Sequence, residues 1–138
     1  MADIRQVTER FAVAPQLELE DFTEVAALGY TYIINNRPDG EGTDQPGSAQ
    51  AEAAAQAAGL SYVYAPFVGQ PTPEAVNAVA AANGKTLAYC RSGTRSVTAW
   101  AFAQAGKGGN AREIVEAAGG AGYNLAPLVP ALQQMGAS

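Results

Sequence analysis

Thr86-Leu87-Ala88-Tyr89-Cys90-Arg91-Ser92-Gly93-Thr94-Arg95-Ser96-Val97 is the stretch whose reading decides the fold. An apolar run of strand character ends on the chain's one cysteine. A short polar turn containing Gly93 follows, and an apolar helix is predicted from about Arg95 to Ala105. Each part has a physical purpose. A helix N-terminus leaves amides unpaired and carries partial positive charge, so it attracts anions. A tight turn aims further amides inward as a nest, and Gly93 permits backbone angles that other residues resist. Arg95 adds a fork of donors for an oxyanion, with Arg91, Ser92 and Thr94 completing an anion-binding loop. Fields of this kind stabilise thiolates, so Cys90 reads as a nucleophile. The loop amides would then hold negative charge as it moves onto the bound group. Ser96 is expected to donate a hydrogen bond to the Cys90 sulfur, making it a better leaving group in a second step. A cysteine merely ending a core strand is the bland alternative. Cys-to-Arg spacing alone would not exclude it, but the full strand, cysteine, glycine turn, arginine and helix order favours the functional loop.

Outward from this loop, strands and helices alternate. Ile4–Val7 and Phe11–Val13 read as two short strands around Thr8-Glu9-Arg10. Phe22, Val25 and Leu28 give helical spacing over 21–28, stopped by Gly29. Tyr30–Ile34 is β-branched and aromatic, hence a buried strand. A polar loop, 35–47, precedes an alanine-rich helix capped by Ser48 and ending at Gly59. Tyr62–Tyr64 reads as a strand. Thr72 and Pro73 open a helix to about Ala82, and two shorter helices, 111–118 and 125–135, close the chain. Alternation of this kind implies an α/β fold of three layers, α/β/α, around a mainly parallel sheet of about four to five strands. Ligands bind beyond the carboxyl ends of such strands, where Cys90 stands.

The chain has 138 residues, 48% of them hydrophobic and 15% charged. That fits one globular domain. Its net charge of -5, with 8 basic residues, argues against nucleic acid as a partner. No run is apolar enough for a signal peptide or a membrane span. One cysteine forms no internal disulfide, which suits a reducing compartment and a cytoplasmic location. The sequence contains no histidine, which removes Ser-His-Asp triads, Cys-His proteases and histidine-ligated zinc. Neither a cofactor nor a metal is expected.

Cys90-Arg91-Ser92-Gly93-Thr94-Arg95-Ser96 resembles the active-site loop of rhodanese-type sulfurtransferases. The N-terminal strand pair, the stretch Asn35-Asn36-Arg37-Pro38-Asp39-Gly40-Glu41 and the helical C-terminal end resemble the dual-specificity phosphatase fold. Together they resemble the phosphatase-like domain of bacterial β-lactamase-hydrolase-like proteins, found alone or fused to a metallo-β-lactamase-like domain. The resemblance spans nearly all of residues 1–138. It implies a small anionic substrate, namely thiosulfate, a persulfide or a phosphate ester, and allows a separate persulfide-processing protein partner.

Cysteine phosphatases resemble one another in placing five residues between Cys and Arg, usually with His before the Cys. Here four separate Cys90 from Arg95, and Tyr89 takes the His position. One residue fewer removes about 3.8 Å of contour from the ring, which suits one sulfane sulfur better than a phosphoryl group. Such phosphatases also use an aspartic acid expected after the Tyr62–Tyr64 strand, but Pro66-Phe67-Val68-Gly69-Gln70-Pro71 holds no acid. Asp39 or Asp44 could replace it only if the fold brought them to Cys90. The sequence therefore points first to a sulfurtransferase working through a Cys90 persulfide, with a thiol or cyanide as acceptor. A phosphatase working through a Cys90 phosphoenzyme comes second, and a non-catalytic anion-binding module third. The resemblance implies that Arg37 or Asp39 meets substrate or orders the Cys90 loop, against the alternative of a solvated turn with a local arginine–carboxylate pair. Tyr62, Tyr64 and Phe67 read as core or pocket wall, core first, Trp100 reads as packing, and Tyr123 receives no role.

Overall fold

The structure is a computed structural model that describes residues 2–138. Its strands are β1 (Arg5–Gln6), β2 (Phe11–Ala14), β3 (Tyr32–Asn35), β4 (Ser61–Tyr64) and β5 (Thr86–Tyr89). Its helices are α1 (Asp21–Ala27), α2 (Ser48–Ala57), α3 (Pro73–Ala81), α4 (Thr94–Gly106), α5 (Ala111–Gly120) and α6 (Val129–Gln134). The strands form one sheet in the order β1-β2-β5-β3-β4. Only β1 runs antiparallel to its neighbour among the described residues. At the carboxyl end of β5, Tyr89 pairs with Ala14 of β2 on one side and Asn35 of β3 on the other. Cys90 thus leaves the middle of the sheet, where α/β sheets bind ligands.

Successive strand residues face opposite ways, and the two cores follow that alternation. Ala12, Ile33, Leu87 and Tyr89 pack with Phe22 and Val25 of α1 and Ala51 and Ala55 of α2. Val13, Ile34 and Ala88 pack with Val79 of α3 and Val97 and Trp100 of α4. Ile114 of α5 and Leu132 of α6 join them. The expected three-layer α/β/α architecture is therefore present. Every residue of β5 is buried, as both faces of a covered parallel strand should be. α4 is buried almost all round, including Ser96, Val97, Ala99 and Trp100, because other helices cover the side turned away from the sheet. Trp100 stacks on Phe11 with ring centroids 6.0 Å apart, the packing role expected of it.

Several boundaries differ from those the sequence predicts. β1 keeps only Arg5–Gln6, because the amides of Val7 and Thr8 both turn onto the Phe11 carbonyl at 3.0 Å. The buried strand begins at Tyr32 and not Tyr30, since Thr31 N–H goes to the Lys85 carbonyl at 2.8 Å. Gly47 caps α2, and Ser48 is its first helical residue. The predicted final helix divides into a 3-10 turn, Ala126–Leu128, and α6. Pro127 and Pro130 cannot donate to a continuous α-helical ladder. The Thr72 cap is as expected, its hydroxyl accepting from Ala75 N–H at 3.2 Å.

Candidate active site

Cys90 follows β5 directly and is fully buried. Its sulfur accepts a hydrogen bond from the Gly93 amide at 3.1 Å, so the turn curls back over the nucleophile. Gly93 caps α4 with φ of 92°, a conformation that favours glycine. The Thr94 amide, first in α4, donates to the Ser92 hydroxyl at 3.4 Å, and the amides of Arg95 and Ser96 that follow it precede the helical ladder, where helix N-termini take anions. The turn is pinned from outside. Gln16 N–H donates to the Arg91 carbonyl at 3.3 Å, and the Tyr123 hydroxyl donates to the Ser92 carbonyl at 2.8 Å. The Ser92 hydroxyl donates to that of Thr94 at 3.1 Å. Arg91, Ser92 and Thr94 are exposed on the rim.

Arg95 meets a partner that the sequence analysis left out of the site. Its two terminal nitrogens donate to the two carboxylate oxygens of Glu41 at 2.7 and 3.0 Å. One of them also reaches the Phe67 carbonyl at 3.1 Å. Glu41 accepts in addition from Arg37 Nε at 2.8 Å. Hydrogen bonds to these two guanidiniums hold the Glu41 carboxyl at about 2, well below its ordinary range. The Arg95 guanidinium is held above its usual value, first by Glu41, with attraction to Cys90 adding to it against burial.

Arg37 is buried and ties this pair to the other rim, donating to Gln16 Oε1 at 3.0 Å. It thus orders the loop indirectly, through Glu41 and Gln16. Asp39 is committed elsewhere. Its carboxylate accepts the Ser48 amide at 2.8 Å, where it complements the N-terminus of α2. Its own amide donates to the Tyr64 hydroxyl at 2.9 Å. Asp44 is exposed in the same loop.

Ser96 does not donate to Cys90. Its hydroxyl donates to Asn36 Oδ1 at 2.8 Å, and both residues are fully buried. Asn36 Nδ2 donates onward to the Ala65 carbonyl at 2.9 Å. Asn36 therefore joins the ends of β3 and β4 to the first turn of α4. Asn36, Glu41 and Tyr123 are the residues that the sequence analysis missed. A polar pair directly after an apolar strand, Asn35-Asn36, was the available signal for one of them. Tyr123 gave none, since its contact spans 31 residues. Its hydroxyl also accepts from Arg5 at 3.1 Å.

A recessed sulfur, inward amides and a fixed guanidinium can bind a small oxyanion and stabilise charge on it during nucleophilic attack. What the loop lacks is a ready proton donor. Pro66–Pro71 carries no acid, and Glu41 is ionised at neutral pH and spent on two arginines. Among the described residues no cluster of three or more metal-ligating side chains is found. None of the described helices is long and apolar enough to cross a membrane.

Comparison with known proteins gives a consistent kinship. A beta-lactamase hydrolase-like protein of Xylella fastidiosa is 38% identical over 137 residues, covering 95% of this chain and 32% of that protein. The chain thus spans about a third of the length of such curated relatives. A crystal structure from Neisseria meningitidis, provisionally described as a phosphatase, is 33% identical with a TM-score of 0.81. That match covers 96% of this chain and 97% of the other. Tk-PTP in its active form shares the fold at a TM-score of 0.70, with 16% identity over 95% of this chain and 93% of its own. The family described as beta-lactamase hydrolase-like protein, phosphatase-like domain, matches residues 3–107. On that match, and with this loop at the carboxyl edge of this sheet, the chain belongs to the family of phosphatase-like domains of beta-lactamase hydrolase-like proteins.

Proposed function

We propose that this domain is a cysteine-dependent phosphatase acting on small anionic phosphate esters through a Cys90 phosphoenzyme. The observation that carries the reading is Cys90 seated under the Gly93 amide beside Arg95, on a phosphatase-like fold. Cys90 sulfur attacks phosphorus, an S–P bond forms and the bond to the leaving oxygen breaks. The loop amides and Arg95 hold the equatorial oxygens. Water then attacks phosphorus, releasing inorganic phosphate and the Cys90 thiolate. Arg91, Ser92, Gly93 and Thr94 line the anion's seat. Arg37 and Glu41 position Arg95, while Ser96 and Asn36 fix the start of α4.

A second reading, sulfur transfer, is favoured by two observations. Four residues separate Cys90 from Arg95, and no acid stands in the loop after β4. Cys90 would attack the sulfane sulfur of thiosulfate or a persulfide, expelling sulfite or a thiolate that needs no proton. An acceptor thiolate would then take the outer sulfur and restore the Cys90 thiolate. Sequence alone ranked this chemistry first. The family and the structural relatives give more support to phosphate. The sulfur reading would also call for a persulfide-processing partner, to be sought in the part of the longer relatives that this chain does not span.

Both are tested by one comparison of wild type with Cys90→Ser. The leading reading expects aryl phosphate hydrolysis that the substitution abolishes, and an inert wild type would overturn it. A mass gain of one sulfur on Cys90 after thiosulfate, without phosphate release, would establish the second reading in its place.

A further inference from the structure

An apolar groove begins at the rim of the Cys90 loop. Thr94, the first residue of α4, forms one end of it. Thr98 and Phe102 continue along the same helix face, and Pro71, Leu125 and Leu128 form the opposite walls. Its volume of about 510 Å³ lies within the roughly 300–1,000 Å³ of small-molecule sites. The loop that supplies Pro71 follows Phe67, whose carbonyl holds Arg95. Groove and catalytic loop thus have Thr94 in common, and the segment after β4 runs from the Arg95 contact to the groove wall. Beyond Pro71 and Phe102 a further depression of about 400 Å³ leads to Met135.

The chemistry of the lining is one-sided. No charged residue lines either hollow, in a chain with 15% charged residues. Two of its polar side chains are already engaged. Thr98 donates its hydroxyl to the Thr94 carbonyl at 2.8 Å, and Asn124 Oδ1 accepts from the Ala126 amide at 3.1 Å. The other large hollow, about 630 Å³, is lined by Arg10, Thr86 and Lys107. Arg10 precedes β2 and Thr86 opens β5, so it lies at the amino end of the strands and does not adjoin Cys90.

We propose that the groove along α4 takes the apolar substituent of the substrate, an aryl ring or alkyl chain whose anionic head sits in the Cys90 loop. This rests on the reading of that loop as an anion site and extends it to a substrate class: monoanionic or dianionic small molecules with an apolar tail. The occupant is a substrate group because the lining includes Thr94, the loop residue next to Arg95, so an anion held in the loop places its substituent beside the groove.

The test is binding, which does not depend on turnover. ¹⁵N-labelled protein is titrated with inorganic phosphate, then ethyl, butyl and hexyl phosphate. Affinity is expected to rise roughly fourfold for each methylene that enters the groove, with amide shifts at Thr98 and Leu128 growing along the series. Ala131→Phe, which fills the groove, is expected to flatten that slope; Leu128→Gln serves if the first variant does not fold. Equal affinity across the series, or a slope that survives in a folded variant, overturns the groove proposal and leaves the anion loop standing. An absence of shifts in residues 90–96 with every phosphate overturns the anion reading, and the groove proposal with it.

Discussion

Glu41 holds both terminal nitrogens of Arg95, at 2.7 and 3.0 Å, while Arg37 holds Glu41 from the other side. An arginine so clamped presents one fixed orientation to an anion, and positioning of that kind is worth orders of magnitude in rate. Glu41→Ala is expected to lower kcat/KM for an aryl phosphate about 10- to 100-fold, and Glu41→Gln by less, because it keeps one acceptor oxygen. Steady-state kinetics on the two variants checks the order. Equal activity in all three proteins would show that Arg95 needs no clamp.

The same contact sets an acid limit. Glu41 titrates at about 2 in the folded chain, against an ordinary value of 4.5. A depressed carboxylate stabilises the fold fully above its unfolded value and loses that contribution as pH falls towards the folded one. Urea midpoints should therefore drop between about pH 4.5 and 2, and the drop should shrink in Glu41→Gln. A variant with the wild-type acid profile would remove Glu41 from the account.

Gly93 cannot be replaced cheaply. Its φ of 92° disfavours a side chain, and a Cβ there would collide with the Tyr123 hydroxyl. Gly93→Ala is expected to cost about 2–4 kcal/mol and to abolish activity. Adding Tyr123→Phe removes the hydroxyl that the Cβ would meet first but also its bond to the Ser92 carbonyl, and it leaves the backbone strain, so little stability should return. Chemical denaturation of the single and double variants measures the coupling.

Much of this was legible in the sequence. Gly93, Cys90 and Arg95 announced the loop because each stage of strand, turn and helix is written in adjacent residues. The layers were legible for a similar reason, since Ile33, Ile34, Leu87 and Ala88 sit in short apolar runs between turn residues. What stayed hidden depends on contacts between distant segments. Glu41 is 54 residues from Arg95, and Ser96 finds Asn36 over 60. Local reasoning gave the Ser96 hydroxyl to the nearest plausible acceptor, the Cys90 sulfur. The buried amide of Asn36, brought in by β3, takes it. For Asp39 the family resemblance suggests a site role, but the amide opening α2 claims its carboxylate.

That buried Asn36 should be costly to remove. It serves the Ser96 hydroxyl and the Ala65 carbonyl, neither of which can reach water. Asn36→Ala, which strands two buried groups, is expected to destabilise by about 2–4 kcal/mol, against about 1–2 kcal/mol for Ser96→Ala, which strands only the Asn36 acceptor. Equilibrium unfolding compares them. Similar losses would mean that the Ala65 contact contributes little.

The missing acid makes the sharpest functional prediction. With Glu41 ionised at any pH above about 3 and no carboxyl in Pro66–Pro71, the leaving oxygen must depart unprotonated. Rate should then follow leaving-group acidity steeply. Nitrophenyl phosphates should turn over well, phenyl phosphate far more slowly, and alkyl phosphates more slowly still, by about 10²–10⁴, the usual worth of general acid catalysis. The profile of kcat against pH should also lack the alkaline limb that deprotonation of an acid would produce. A shallow dependence on leaving group, or a clear alkaline limb, would reveal a proton donor, and Asp39 and Asp44 would be the first carboxylates to substitute. Adding an aspartate by Val68→Asp, at an exposed position in the loop after β4, should narrow the gap between phenyl and nitrophenyl esters if the geometry there serves the leaving oxygen.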